Sequence, residues 1–189
     1  FITGRGGFIG SHVVAHVGSE SVLNDTEADC VIVHLAAYGN HYYQNEPDKI
    51  IKANIYDLKR LVEKAINIGV KKFYNISTSS VRLPVQTMYS ASKLFGETFI
   101  NSLNDERFVN VRPYSVYGEG EAAHRFIPTV IRCLKSGEKM ELAKAPQHDW
   151  VHVKDFISAM FAGHTEIGTG LSYSNMQIVE MLELISGNK

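Results

Sequence analysis

The chain has 189 residues, which is enough for one domain with a sizeable core and too few for two full-size domains. Its formal net charge of −1, with 44% hydrophobic and 21% charged residues, predicts neither a nucleic-acid partner nor binding to an anionic membrane. Cys30 and Cys133 are too few for a disulfide framework, and no apolar run approaches the roughly 18 residues of a membrane span. These totals favour a cytoplasmic protein.

Strand and helix patterns alternate along the chain. "FIT", a run of glycines and "FIGSHVVAHV" predict a strand, a tight turn and a helix. The apolar runs "CVIVHLAA" and "KKFYNIST" predict neighbouring parallel strands, joined by a helix in "NIYDLKRLVEKAINIG" that ends at Gly69. A strand in "RFVNVRPYSVYG" and helices in "FIPTVIRCLKSG", "KDFISAMFAGH" and "NMQIVEMLELISG" continue the alternation. This order predicts an α/β fold with a doubly wound parallel sheet.

Three glycines, Gly4, Gly7 and Gly10, follow the first strand and open the first helix. Glycine lets the backbone approach a pyrophosphate, and the helix N-terminus attracts its charge, so the turn predicts a bound dinucleotide. A glycine-rich turn without a ligand is the alternative. Arg5 is compatible with a phosphorylated ribose or with a place in solvent, so the turn does not decide between NAD and NADP.

The acid that usually binds the adenine ribose is expected at the end of a second strand, roughly 20 residues after the turn. Here "GSESVLNDTEAD" leads directly to the next buried strand, so Asp25 and Glu27 cannot be assigned this role. We therefore expect that a strand–helix segment is missing near residues 20–24 and that the chain is incomplete.

A helix in "MYSASKLFGETFI" would place Tyr89 and Lys93 one turn apart on the same face, with Leu94 and Phe95 as apolar anchor points. The Lys93 ammonium is expected to lower the pKa of the Tyr89 phenol, which could then exchange a proton with a sugar hydroxyl or carbonyl. An aromatic residue and a lysine at this spacing are also common on amphipathic helices.

The segment "NISTSSV" places Thr78 at the end of a predicted core strand, where open α/β sheets bind their ligands. Its hydroxyl could bond the reacting oxygen and share the proton with Tyr89. A polar strand end that caps a turn is the alternative. The position of Thr78 upstream of Tyr89 favours the catalytic interpretation of the tyrosine and lysine pair.

With the glycine turn, "HLAA", "STSSV", the tyrosine and lysine pair, "RPYSVYG" and "HDWVHVKD" in this order, the chain resembles the extended short-chain dehydrogenase/reductase family. It resembles more narrowly the NAD-dependent epimerase/dehydratase group that acts on nucleotide sugars. The resemblance implies a Rossmann-type core at residues 1–113, and a smaller, mostly helical substrate lobe with remaining core elements at residues 114–189. It also implies NAD as cofactor, with NADP as the alternative, a nucleotide-sugar substrate and a homodimer.

The resemblance also assigns roles to single residues. It implies Tyr89 as the acid/base, Lys93 as its partner that also holds the nicotinamide ribose, and Thr78 as the hydroxyl partner. The implied cofactor contacts are Gly4, Gly7, Phe8, Ile9, Gly10, Ala36, Ala37, Asn54, Tyr89, Lys93, Pro113 and Tyr114. The implied substrate contacts are Thr78, Ser79, Ser115, Arg125 and His148. Related enzymes carry asparagine in place of Ser115 and arginine in place of His148, and Arg125 or Arg132 is the expected replacement.

Related dehydratases carry an acidic pair directly after the catalytic threonine, where this chain has Ser79 and Ser80. Serines do not supply the acid and base that elimination needs, which disfavours 4,6-dehydration. We expect an NAD-dependent nucleotide-sugar epimerase that oxidises a sugar hydroxyl transiently. The alternatives are an NAD(P)H-dependent ketoreductase, a 4,6-dehydratase and a dinucleotide-binding module without catalysis. The histidines His34, His41 and His152 lack metal-ligand spacing and are interpreted as structural or cleft residues.

Overall fold

A computed structural model describes residues 1–18, 30–143 and 146–187. The segment near residues 20–24, with Asp25 and Glu27, lies outside the described residues. The strands are β1 (Ile2–Thr3), β2 (Val31–His34), β3 (Lys72–Ile76), β4 (Phe108–Pro113), β5 (Ser115–Tyr117), β6 (Gln147–His152), β7 (Glu166–Ile167) and β8 (Ser172–Ser174). The α-helices are α1 (Phe8–Val17), α2 (Pro47–Ile51), α3 (Asp57–Asn67), α4 (Met88–Ser102), α5 (Phe126–Ser136), α6 (Val153–Phe161) and α7 (Asn175–Ser186). A π-helical turn at Lys52–Tyr56 joins α2 to α3, and a 3₁₀ turn at Ser79–Arg82 follows β3.

The main sheet has five parallel strands in the order β1-β2-β3-β4-β7. The predicted pairing of "CVIVHLAA" with "KKFYNIST" is confirmed, because Val33 lies opposite Tyr74 in a parallel register. In the described part of the chain the other four strands of this sheet lie on one side of β1, which is therefore an edge strand. The carboxyl ends of all five strands meet at one edge of this sheet, and the candidate site lies there.

Apolar side chains cover both faces of the main sheet, as a doubly wound fold requires. On one face Val33, Val111 and their neighbours pack against α1 and α6. On the opposite face Ile32 and Phe73 pack against α3 and α4. Successive residues of β2 thus point to opposite cores, which explains why this strand is apolar throughout.

The predicted strand in "RFVNVRPYSVYG" is two strands, β4 and β5, that belong to different sheets. The chain changes sheet at Tyr114, whose backbone N–H donates to the Ile167 carbonyl at 3.0 Å. Strand β5 then pairs with β6 in parallel, and β6 pairs with β8 in antiparallel. This second sheet and the helices α5 and α7 form what we call the lobe. Helix α6 and strand β7 return to the main sheet.

Helix α4 begins with a capping box between Thr87 and Ser90, and it carries the predicted tyrosine and lysine pair. The prediction that Leu94 and Phe95 anchor this helix is wrong, since they are 40% and 46% exposed. The buried face lies one position away and contains Lys93 together with Gly96, Glu97 and Ile100. A Cβ on Gly96 would come within 2.9 Å of Leu58 Cδ2, so glycine permits the close approach of α4 to α3.

No helix in the described ranges combines the length and the apolar character that a membrane crossing requires.

Candidate active site

The glycine turn between β1 and α1 is closed too tightly for side chains at two of its positions. A Cβ on Gly10 would lie 2.1 Å from the Gly4 carbonyl oxygen, and a Cβ on Gly4 would lie 2.8 Å from the Ala36 nitrogen. Gly4 also has a φ of +67°, which favours glycine. Gly7 is the N-cap of α1 and makes no side-chain cap, so the first N–H groups of this ten-residue helix are left for an external acceptor.

Thr3 joins the glycine turn to the end of β2. Its Oγ1 accepts hydrogen bonds from the backbone N–H groups of Leu35 at 3.1 Å and Ala36 at 3.0 Å. A hydroxyl has two acceptor sites and one proton, so its proton is left for His34 Nδ1, 2.8 Å away. His34 is therefore neutral and carries its proton on Nε2. Burial first, and then the Lys93 charge, lower the pKa of His34 to about 3.

The segment after β2 lies close to the glycine turn at its start and close to Tyr89 at Gly39. Ala36 contacts the Gly4 position and Ala37 is exposed beside it, while a Cβ on Gly39 would lie 3.4 Å from the Tyr89 Cβ. The structure therefore brings the glycine turn, Ala36 and Tyr89 to one end of the sheet, although they are far apart in sequence.

Asn54 lies in the π-helical turn and is only 3% exposed. Its side-chain oxygen accepts from the Tyr38 N–H at 2.9 Å, and its Nδ2 donates to the Tyr38 carbonyl at 2.8 Å and to Ser92 Oγ at 2.9 Å. Ser92 in turn donates to the Tyr89 carbonyl at 2.7 Å. Asn54 thus ties the segment after β2 to helix α4. Turns of the π type are frequent at functional sites.

Tyr89 and Lys93 lie one turn apart on α4, as predicted. Burial raises the pKa of Tyr89 to about 12, and the charge that opposes this rise comes from Arg125. The expectation that Lys93 lowers the pKa of Tyr89 is therefore wrong for this geometry. Lys93 is 4% exposed, and burial lowers its own pKa to about 8. A neutral phenol thus stands one turn from a buried ammonium that is still mostly protonated at neutral pH.

Thr78 follows β3 and caps the 3₁₀ turn, because its Oγ1 accepts from the Ser80 N–H at 3.2 Å and donates to Ser80 Oγ at 3.3 Å. The turn-capping alternative is therefore realised, and the same hydroxyl remains at the carboxyl end of the sheet. Ser79 is half-buried in this turn. The neighbouring Ser77 is buried, and among the described residues its hydroxyl has no hydrogen-bond partner.

Pro113 ends β4 at the same edge of the sheet, one strand beyond the end of β3. It is buried, and Tyr114 directly after it is half-buried. Because Tyr114 donates its backbone N–H to Ile167, the crossing from the main sheet to the lobe is fixed beside the site.

Three of the predicted substrate contacts lie in the lobe. Ser115 Oγ and His148 Nδ1 are 3.4 Å apart across the paired strands β5 and β6, and burial lowers the pKa of His148. The Trp150 ring lies next to His148 and stacks on Phe126 with ring centroids 5.6 Å apart. The Trp150 indole N–H is buried without a partner in the described part of the chain. Phe126 and Trp150 thus place two stacked aromatic rings next to His148, one of the predicted substrate contacts.

Arg125 precedes α5 and connects the lobe to Tyr89 electrostatically. Its Nε lies 3.8 Å from Glu121 Oε1. The Glu121 side chain is 7% exposed, its Oε2 has no partner within the described residues, and burial raises its pKa to about 7 against the effect of Arg125. Arg125 is therefore a cation at the start of α5 whose charge acts on the predicted catalytic tyrosine.

Arg132, the other proposed replacement cation, lies elsewhere on α5. It pairs with Glu138 and lines a cavity of about 750 Å³ beside the loop at 118–121. The cavity lining comes from that loop, from one side of α5 and from α7, and it includes neither Tyr89 nor Arg125. Of the two arginines, Arg125 is thus the one whose charge acts on Tyr89.

His41 and His124 lie side by side, with Nδ1 and Nε2 3.0 Å apart. Burial and then Arg125 lower the pKa of His41. His152 lies near Glu119, with Nε2 and Oε2 3.5 Å apart. In the ranges that the structure describes, no three histidine, cysteine or acidic side chains are grouped so that they could hold a metal ion.

The family follows from a sequence match: residues 19–178 match the NAD dependent epimerase/dehydratase family. The chain belongs to this family. The glycine turn precedes the matched residues, so its assignment rests on the geometry given above.

Curated relatives are similar over most of this chain. CDP-abequose synthase of Salmonella muenchen is 29% identical over 174 residues, which are 80% of this chain and 58% of that protein. dTDP-glucose 4,6-dehydratase of Streptomyces griseus is 26% identical over 179 residues, which are 80% of this chain and 54% of that protein. The chain therefore spans little more than half the length of these two epimerase/dehydratase relatives.

A solved structure shows the shared fold. A tyrosine-to-phenylalanine variant of UDP-glucuronic acid 4-epimerase from Bacillus cereus, in complex with UDP-4-deoxy-4-fluoro-glucuronic acid and NAD, is 22% identical and has a TM-score of 0.82. The match covers 100% of this chain and 83% of that chain. The Rossmann-like parallel sheet predicted from the sequence is thus the fold of this epimerase/dehydratase chain.

Features of this epimerase/dehydratase chain fit the NAD named in the family description. The α1 N-terminus is uncapped by side chains, and Gly10 leaves no room for a Cβ beneath it. Ser77 has a buried hydroxyl without a partner among the described residues, at the end of β3. These groups offer donors to phosphates and ribose hydroxyls at the edge where open α/β sheets bind dinucleotides.

Some residues that shape the candidate site and its surroundings were not predicted from the sequence. Thr3 is a single hydroxyl in a two-residue strand, and its three hydrogen bonds depend on how β1 meets β2. Asp149 in "HDWVHVKD" accepts hydrogen bonds from the loop after β7, a distant part of the chain. The burial of Glu97 had one signal, its place four residues after Lys93 on the inward face of a predicted helix.

Proposed function

We propose that this chain is an NAD-dependent nucleotide-sugar epimerase that acts by transient oxidation of a sugar hydroxyl, with Tyr89 as the acid/base. The observation that carries the proposal is the place of Tyr89 and Lys93. They lie on one face of α4, at the end of the parallel sheet where the glycine turn and Thr78 also lie. Ligands of such sheets bind at this end.

The roles proposed for the site come from the family resemblance, and the positions of the residues support them. The pyrophosphate would be held by Gly4, Gly7 and Gly10 and by the backbone of Phe8 and Ile9. The cofactor cleft would be lined by Ala36, Ala37, Pro113 and Tyr114. Asn54 would support this cleft. NAD, when bound, takes a hydride from the sugar and returns it. Tyr89 exchanges the hydroxyl proton. Its pKa of about 12 makes the phenol a donor to a keto oxygen, and the nearby Arg125 charge favours the phenolate that oxidation requires.

Lys93 and Thr78 complete the proposed proton-transfer group. The Lys93 ammonium would hold the nicotinamide ribose, and its pKa of about 8 leaves it mostly charged at neutral pH. The Thr78 hydroxyl would bond the reacting oxygen once it turns away from Ser80. This arrangement needs no further acid or base for epimerisation.

The proposed substrate side is the lobe. Arg125 provides a cation, while Ser115, His148 and the half-buried Ser79 provide polar contacts to a sugar diphosphate. One curated relative is named a 4,6-dehydratase, but Ser79 and Ser80 provide no carboxyl groups for elimination. The epimerase proposal is therefore preferred, and a ketoreductase is the closest alternative.

We also propose a cytoplasmic homodimer. Leu94 and Phe95 are exposed on α4, and Ile66 on α3 is 43% exposed. Exposed apolar side chains on neighbouring helices are suited to contact with a second copy of the chain. Cys30 and Cys133 are both free thiols, which fits a reducing compartment.

The function is tested by incubating the chain with NAD and a panel of UDP-, CDP- and dTDP-sugars in deuterated water, with and without added NADH or NADPH, and by following the products by NMR. An epimerase gives an isomer of one sugar without consumption of added NADH or NADPH. Net consumption of the reductant would contradict the proposal in favour of a ketoreductase. Loss of water from the sugar would contradict it in favour of a dehydratase. Binding of NAD without any product would support a binding module.

A further inference from the structure

A buried acid lies one turn beyond Lys93 on α4. Glu97 is 2% exposed, and the Arg112 guanidinium from β4 binds both of its oxygens, with Nε 2.7 Å from Oε1 and Nη2 in contact with Oε2. Arg112 continues to Glu166 at 2.6 Å, and Glu166 continues to Arg82 at 2.6 Å. The carboxylate of Glu97 is therefore fixed in position by strands of the main sheet.

Lys93 and Glu97 are four residues apart and both face the interior, so they are neighbours on the same side of α4. Among the described residues no carboxylate lies within ion-pair distance of the Lys93 ammonium. Glu97 therefore acts on it through the electrostatic field rather than through a contact. Burial disfavours the Lys93 charge, and Glu97 is the group that opposes this effect.

Among the described residues, two further titratable groups lie near Lys93: Tyr89, one turn away on α4 and neutral because burial raises its pKa, and His34, which approaches from the end of β2. His34 is neutral in the folded protein, because its pKa is lowered to about 3. Asp57 at the start of α3 acts on His34 in the opposite direction. With His34 neutral, the charge of Glu97 is the main influence that favours the ammonium form of Lys93.

We propose that Glu97, held in place by Arg112, is a positioning residue for Lys93 and keeps its ammonium charged beside Tyr89. The inference rests on the proposed function, since the charge of Lys93 has a role in turnover only if the tyrosine and lysine pair is catalytic. It adds to the proposed function a residue, one turn further along α4, that stabilises the charge of Lys93.

The direct test is a titration of the Lys93 ammonium by NMR in protein labelled with ¹⁵N-lysine, with Lys93→Gln to assign the signal. Glu97→Gln removes the charge and keeps most of the shape. We expect the pKa of Lys93 to fall by about one unit, a tenfold loss of proton affinity. Glu166→Gln is the matched control, because Glu166 binds the same arginine but is not among the groups that act on the pKa of Lys93. It should leave the Lys93 titration unchanged.

An unchanged Lys93 pKa in Glu97→Gln, or an equal fall in both variants, would overturn the inference. If Glu97→Gln does not fold, the Lys93 titration is measured in Glu97→Asp instead. Aspartate keeps the negative charge, but its side chain is one methylene shorter, so the position of the charge relative to Lys93 changes. The Lys93 pKa should then fall by a smaller amount, and no change would again overturn the inference.

Turnover separates this inference from the proposed function. In an active enzyme, Glu97→Gln should move the high-pH limb of the rate profile to lower pH by the same amount as the NMR titration, whereas a purely structural role would only lower the rate. If the Lys93 titration responds as expected and no variant or wild-type protein turns over a nucleotide sugar, the positioning role stands and the proposed function fails.

Discussion

His34 shows how one buried residue makes the fold sensitive to pH. The Thr3 hydroxyl donates to its Nδ1, so protonation at this nitrogen would break a hydrogen bond inside the main sheet. The folded pKa of about 3 lies below the value of 6.5 for a free histidine. Between these values the unfolded chain binds a proton that the folded chain does not, so the free energy of unfolding falls as the pH falls below 6.5.

We predict that His34 costs about 2 kcal/mol of stability between pH 7 and pH 5. Unfolding by denaturant at both pH values gives the loss for wild-type protein and for His34→Gln. The variant should lose less stability by that amount, because glutamine does not titrate. Parallel losses in the two proteins would show that His34 is not the responsible group.

At the scale of elements, the glycine turn joins β1 to α1 through close packing around the Gly4 carbonyl. Gly10 in α1 packs on the Gly4 carbonyl, and Gly7 donates its N–H to the same oxygen at 2.9 Å. The contact sets where the N-terminus of α1 points.

Gly10→Ala should destabilise the fold by about 1–3 kcal/mol and weaken NAD binding at least about tenfold. The new Cβ would lie 2.1 Å from the Gly4 carbonyl oxygen, which cannot move away without breaking its hydrogen bond with the Gly7 N–H. Gly6→Ala is the matched control, because a Cβ there meets nothing within 4 Å. Denaturant unfolding and calorimetric titration with NAD measure both effects. Equal behaviour of the two variants would refute the packing explanation.

Most elements could be predicted because their signals are local. The helices that end at Gly69, Gly137 and Gly187 were readable from apolar spacing followed by glycine, and each of these glycines has a positive φ. The anchors on α4 were wrong for a physical reason: apolar residues also occur on exposed faces, whereas Lys93 and Glu97 are buried. The split of β4 from β5 depends on contacts with β7, which no local pattern reveals.

The candidate site was predictable to a similar extent. The spacing of Tyr89 and Lys93 is a local property of one helix, and the position of Thr78 follows from the end of one strand. The charge that acts on Tyr89 was not predictable, because Arg125 approaches from the lobe. Arg125 and Tyr89 are 36 positions apart in the sequence, so only the folded chain shows their relation.

At the scale of the whole molecule, Asp149 joins the lobe to the main sheet. It lies in β6 and is 9% exposed. Its carboxylate accepts from Thr169 N–H at 2.7 Å, from Thr169 Oγ1 at 2.8 Å and from Gly170 N–H at 2.8 Å. A Cβ on Gly168 would lie 2.4 Å from Asp149 Oδ2, so the loop after β7 closes directly over the carboxylate.

Asp149→Ala should destabilise the protein by at least about 3 kcal/mol, since the Thr169 N–H, the Thr169 hydroxyl and the Gly170 N–H all lose a charged acceptor. Asp155→Ala, at an exposed acid in the first turn of α6, should cost less than about 1 kcal/mol. Denaturant unfolding compares the two. A cost for Asp149→Ala no larger than that for Asp155→Ala would mean that this contact does not hold the lobe.

The central claim concerns Tyr89, and it is tested by the turnover of Tyr89→Phe on the nucleotide sugar identified in the panel, with NAD affinity measured on the same preparation. Tyr56→Phe, on a surface tyrosine that is 61% exposed, is the matched control. We predict that Tyr89→Phe loses at least about 100-fold in rate, since proton transfer by a positioned group contributes about that much, while its NAD affinity stays within a few-fold of wild type. Turnover of Tyr89→Phe at the rate of wild type and Tyr56→Phe would contradict the account.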